Sequence, residues 1–179
     1  MSRWLVAVAL LLAPASSVAH QNSKALVELR VQGVAVTLRL RGTPFDFAPL
    51  LQIATPARPA PELFRARRDL VLRAAPGYLT LGQTDGPLCE LRRTALRRAD
   101  SSWIELEVEY RCPRRPEALE LRYDLLFDDD PRHRAFVVAP EEPGQPSALL
   151  NSAERTFQLR RPISVGQQAV SYLRLGIEH

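Results

Sequence analysis

Apolar and polar residues alternate along much of this chain with a period of two, the pattern of strands that bury one face. Val27, Leu29 and Val31 alternate with Glu28, Arg30 and Gln32. After Gly33 the pattern resumes with Val34, Val36, Leu38 and Leu40 against Thr37, Arg39 and Arg41, which predicts a β-hairpin. Tyr78 to Gly82, Leu88 to Leu96, Trp103 to Cys112, Leu119 to Phe127, Ala135 to Ala139 and Arg155 to Arg160 are further strand candidates. Turn-forming residues separate them at Thr84-Asp85-Gly86, Ala99-Asp100-Ser101, Pro113 to Pro116, Asp128 to Pro131 and Pro140 to Pro146. No period holds from Thr43 to Pro61. Glu62 to Leu72 sets Leu63, Ala66, Leu70 and Val71 against Arg65, Arg68 and Asp69, the spacing of one short helix. Short strands, frequent turns and a single helix predict a mainly β chain, an antiparallel β-sandwich of immunoglobulin-like or Greek-key character.

The two ends follow other rules. Arg3, the apolar run Trp4 to Ala13 and the small residues of Ser17-Val18-Ala19 form a secretory signal pattern. The apolar run is shorter than the about 20 residues of a membrane span, so cleavage is expected and the mature chain begins at His20. At the other end Val165, Ala169, Val170, Leu173 and Ile177 fall at helical spacing, and Gly176-Ile177-Glu178-His179 carries no stop signal. The expected organisation is a signal peptide over 1–19, a periplasmic β-sandwich over 20–163 and the start of a membrane-entering helix over 164–179. About 160 residues remain after the signal, a normal size for one domain.

Composition changes this picture in two ways. The net charge of +4 raises the question of a nucleic-acid partner, but Lys24 is the only lysine and the arginines alternate with Glu and Asp along the strands. A polyanion partner is therefore not expected. Cys89 and Cys112 are the only cysteines, and in an exported chain they are expected to form a disulfide. A metal-binding pair is the alternative, though without nearby histidines the ligand set is poor.

Candidate chemistry is sparse. There is no G-x-S-x-G, H-E-x-x-H or glycine-rich phosphate loop, and histidine occurs only at positions 20, 133 and 179. No enzyme activity is expected; a hydrolase would need His133 to meet a carboxylate and a nucleophile in one pocket. The run Asp128-Asp129-Asp130-Pro131-Arg132-His133 offers hard oxygen donors and one imidazole, so Asp128, Asp130 and His133 are candidate ligands for a divalent transition metal: nickel, cobalt, copper or zinc. The same run also reads as a simple turn. His20 would offer an α-amine and an imidazole at the mature N-terminus, unless frayed.

The Ala19-His20 junction, Asp85-Gly86-Pro87-Leu88-Cys89, the run from Tyr123 to Arg134, and the tail Tyr172 to His179 resemble the extracytoplasmic N-terminal domain of HupE/UreJ-like membrane proteins. That resemblance implies a membrane protein related to the nickel permeases that accompany hydrogenase and urease. It implies that His179 opens a histidine-aspartate metal signature of the first membrane helix. The expected function is thus a non-catalytic periplasmic module that captures metal, gates or docks for a metal-permease-like membrane domain. A free-standing secreted binding or structural protein is the rival expectation.

Overall fold

The computed structural model describes residues 23–53, 58–84, 86–100 and 102–160. Among these residues nine strands carry the fold: β1 (Lys24–Gln32), β2 (Ala35–Gly42), β3 (Leu79–Gln83), β4 (Glu90–Ala99), β5 (Ile104–Arg111), β6 (Ala118–Tyr123), β7 (Arg134–Val138), β8 (Ser147–Leu150) and β9 (Thr156–Arg160). A six-stranded sheet runs β4-β5-β2-β1-β7-β8, and a three-stranded sheet runs β3-β6-β9. The chain is mainly β, as expected. The signal segment, His20, and the tail from 164 to 179 with His179 lie outside the described residues.

Alternation does what it should. Val27, Leu29, Leu38, Leu40, Leu106 and Val108 of the larger sheet meet Leu81, Leu121, Tyr123 and Leu159 of the smaller one in a single core. Gly33, at φ +63°, lets a two-residue turn join β1 to β2 with the twist a hairpin needs. On the outer face Arg39 and Arg41 stand opposite Glu107 and Glu105 across β2 and β5. Glu107 is bridged by Arg39, Arg93 and Arg97, and the hydrogen bond from Arg97 leads in holding its carboxyl below the usual range.

Several expectations are corrected. The sheet is not wholly antiparallel: β1 and β7 pair in parallel, Lys24 opposite Arg134 through Glu28 opposite Val138. The intervening strands and helices supply the long crossover that a parallel pair requires. The single helix is two, α1 (Pro61–Ala66) and α2 (Arg68–Ala74), broken at Arg67. The buried residues of the two are Phe64 and Val71, seven positions apart, while Ala66 is exposed. β6 stops at Tyr123; Leu125, Leu126 and Phe127 are buried in a turn, with Leu126 at φ +71°. Leu91 stands opposite the buried Tyr110 but is exposed, on the edge strand of the sheet. The aperiodic segment after β2 contains a 3-10 turn, Ala48–Leu51, whose four residues are all buried, and β8 follows the loop at Pro140 to Pro146 in a stretch to which alternation assigns no element.

Cys89 and Cys112 form a disulfide, with their Cα atoms 4.1 Å apart. It joins the approach to β4 to the end of β5. The Cys89 amide donates to Leu81 of the other sheet at 2.9 Å, so the bridge also ties the two layers.

Candidate functional site

Four polar side chains meet inside the core where β1, β2, β6 and β7 converge. Ser23 immediately precedes β1, Asp46 lies in the turn after β2, Tyr123 ends β6, and His133 precedes β7. Asp46, Tyr123 and His133 have no solvent exposure and Ser23 has little.

Local sequence chemistry places each of them. The Asp46 amide donates to the Thr43 carbonyl at 3.0 Å, and Thr43 returns two hydrogen bonds, from its amide and its hydroxyl, to Asp46 Oδ2 at 2.7 Å each. Gly42 is needed beside this turn, since a Cβ there would sit 3.0 Å from the Phe47 ring and 3.1 Å from Asp46. His133 is delivered by the acidic run. The amides of Asp129 and Asp130 both donate to the Leu126 carbonyl, at 3.0 and 2.7 Å, and the His133 amide donates to Asp130 at 2.9 Å.

The hydrogen bonds run in one direction. Ser23 Oγ donates to Asp46 Oδ1 and lies 2.6 Å from His133 Nδ1, while the Tyr123 hydroxyl lies 3.1 Å from His133 Nε2. A carboxylate can only accept, so the Ser23 proton points to Asp46 and Ser23 must accept from Nδ1–H. Nε2 then accepts from Tyr123. The chain Tyr123 to His133 to Ser23 to Asp46 leaves no member unsatisfied and fixes the imidazole as the neutral Nδ1–H tautomer. Aromatic packing reinforces it: the His133 ring stacks at 17° on Tyr123, centroids 5.9 Å apart, and lies 5.3 Å from Phe127.

Electrostatics agree. Burial pushes His133 down to about 4, against a smaller opposing pull from Asp46. Burial, with the Asp46 charge, raises Tyr123 well above its ordinary value, so it remains a donor. Because the folded imidazole resists protonation, the unfolded chain binds the extra proton. Stability from this group is therefore complete above about pH 6.5 and falls progressively toward about pH 4, by on the order of 3 kcal/mol. Urea unfolding of the wild type at pH 7.5, 5.5 and 4.5 is expected to show this decline. A His133→Phe variant, lacking the titrating ring, should lose less across the same interval.

Serine, histidine and aspartate thus meet, but in an order unsuited to nucleophilic catalysis. A nucleophilic serine hands its proton to histidine. Here Ser23 donates to the carboxylate and receives from the imidazole, and its oxygen is sealed from solvent. A fluorophosphonate probe at neutral pH is expected to leave Ser23 unlabelled.

The metal candidates are placed apart. Asp128 is exposed and accepts from Arg155 Nη2 at 2.7 Å, while Asp130 Oδ1 accepts the Arg132 amide at 3.0 Å, an ordinary turn contact. His133 points inward with both nitrogens engaged. Among the described residues no group of three or more His, Cys, Asp or Glu side chains is arranged to hold a metal ion. Sequence reasoning picked His133 but missed Ser23 and Asp46. The available signals were faint: an aspartate between two phenylalanines, and a serine directly before the first alternating strand.

In comparisons with known proteins, the sequence matches no family description and no curated relative.

Proposed function

We propose that this chain is an exported, non-catalytic β-sandwich module carried by a membrane protein, where it docks against or gates a membrane domain of the HupE/UreJ kind. The observation that carries the exported half of this reading is the Cys89–Cys112 bridge, a bond that persists in oxidising compartments and is rare in reducing ones. The signal pattern before His20 points the same way. The membrane half rests on the resemblance of the run from Tyr123 to Arg134 and of the C-terminal tail.

Docking is favoured over metal capture by how that run is used. Tyr123, Phe127 and His133 build an interior wall, and Asp128 neutralises Arg155. What the run presents to solvent is a rigid, charge-matched turn.

Fractionation of the full-length gene product in its own host tests the reading. After alkaline carbonate washing the protein should stay with the membrane pellet, with both cysteines oxidised on a non-reducing gel. Recovery in the wash would favour a free-standing secreted protein, and reduced cysteines in a cytoplasmic fraction would overturn export. Titration of the mature chain with nickel, cobalt, copper and zinc should show no site tighter than about 1 mM that Asp128→Asn and Asp130→Asn abolish. Such a site would restore metal capture.

A further inference from the structure

Arginine is treated differently on the faces of the sandwich and at its disulfide end. On the sheet faces Arg30, Arg39, Arg41, Arg93, Arg97 and Arg122 are each ion-paired with a carboxylate. At the disulfide end the pairing stops. Arg111 ends β5, Arg114 and Arg115 stand in the turn to β6, and Arg160 ends β9 opposite Ala118. All four are exposed, and among the described residues no carboxylate forms an ion pair with them. Among the described residues the carboxylates of this end are Glu90, paired with Arg92, the exposed Glu117, and, in the loop after β7, Glu141, paired with Arg30, and the buried Glu142.

An apolar tip is fastened to the same turn. Leu88 is 66 % exposed, the largest exposure of any bulky apolar side chain described. It is held in place by its bridge to Gly82, by the neighbouring Cys89–Cys112 bond, and by Gln83. The Gln83 side chain donates to the Arg114 carbonyl at 3.2 Å and accepts from Arg114 Nε at 3.0 Å. The result is a rigid projection with a leucine beside unpaired guanidinium groups. Apolar contact combined with positive charge is what an anionic lipid surface retains.

The described chain also ends here. β9 runs from Thr156, beside Arg122, to Arg160, beside Ala118, so the last described residue lies at the disulfide end and not at the His133 end. We propose that this end, through Leu88 and the arginines at 111, 114, 115 and 160, seats on an anionic phospholipid surface and sets the orientation of the sandwich over the membrane. The proposal rests on the reading of the chain as membrane-carried and adds to it which face meets the lipid, and by what chemistry.

The test is co-sedimentation of the oxidised mature chain with vesicles of phosphatidylglycerol and phosphatidylethanolamine, against vesicles of phosphatidylcholine alone. Arg111, Arg115 and Arg160 have no described side-chain partner, so replacing all three by serine should leave the fold intact, as far-UV circular dichroism will verify. That triple variant should lose about a hundredfold in partitioning to anionic vesicles, at about fivefold per arginine. Leu88→Ser should lose about tenfold. The control removes equal charge elsewhere. Arg67, Arg68 and Arg73 are also exposed and unpaired among the described residues, but they belong to the helical segment whose Arg65 donates to Ala99, at the end where β4, β5 and β2 pair through Ile104 and Gly42. Serine at these three positions should leave binding within about twofold.

Equal loss in the two triple variants would reduce the effect to net charge and overturn the proposal, as would equal binding to phosphatidylcholine. Carbonate fractionation separates the two readings. A pelleted protein whose vesicle binding ignores Arg111, Arg115 and Arg160 keeps its anchor and loses the lipid-facing end. A protein released by carbonate whose vesicle binding depends on them loses the anchor and keeps that end.

Discussion

Replacing Asp46 by alanine is expected to lower the unfolding free energy by about 3–5 kcal/mol, enough to remove a large part of a domain's stability. Three donors converge on this carboxylate: the Ser23 hydroxyl, the Thr43 amide and the Thr43 hydroxyl. Without it the Ser23 hydroxyl loses its acceptor in a region closed to water, and the turn loses both bonds from the exposed Thr43. An orphaned buried group costs about 1–3 kcal/mol. Asp46→Asn should fall in between, because one oxygen survives while the amide nitrogen opposes a donor. Urea unfolding at pH 7.5 followed by far-UV circular dichroism gives all three values. An alanine variant within about 1 kcal/mol of wild type would mean that the hydrogen-bond chain does not hold the core together.

Replacing Cys89 and Cys112 together by alanine should cost about 3 kcal/mol, the chain-entropy value for a loop of this length, with the two cysteines 23 positions apart. The strands it joins are already paired, Glu90 opposite Arg111, so the sheet register should survive. The Cys89 amide bond to Leu81 is the contact expected to loosen, which would separate β3 from the larger sheet first. The midpoint of urea unfolding should fall to the same value for the double variant and for wild type in reducing agent, and reducing agent should not change the variant further. A double variant as stable as the oxidised wild type would leave the bridge without a structural role.

Where one face meets the core and the other meets water, the sequence was enough to find the element. β1, β2 and β5 alternate cleanly, and Glu105, Glu107 and Glu109 stay outward although Glu107 is almost covered, because arginines from neighbouring strands cover it. Alternation reports burial and not backbone conformation, which is why the buried turn at Leu125 to Phe127 resembles a continued strand. It carries no information about which distant strand becomes a neighbour, so the parallel pairing of β1 with β7 was invisible. Nor does it tell how an element sits on the core: Phe64 is buried where Ala66 is exposed, and Leu91 is left open on the edge strand β4.

The site divides along the same line. His133 stands out by its chemistry alone. Its partners come from residues 23 and 46 as well as from the nearby Tyr123, and only the fold brings those elements together. The acidic residues next to it in sequence shape the turn that points it inward, so proximity along the chain suggested a ligand set that the backbone separates. The disulfide was readable because composition limits it to one pair.

The account turns on His133 being a sealed, neutral link between Tyr123 and Ser23. Nitrogen-15 correlation spectra of the histidine rings in the oxidised mature chain test this directly, recorded from pH 7.5 to 4.5 with and without nickel. From pH 7.5 to about 5.5 the His133 ring should show the neutral Nδ1-protonated pattern, with no midpoint above pH 5 and no change on adding the metal. A ring that titrates near the ordinary histidine value of about 6.5, or that shifts when nickel is added, would contradict it.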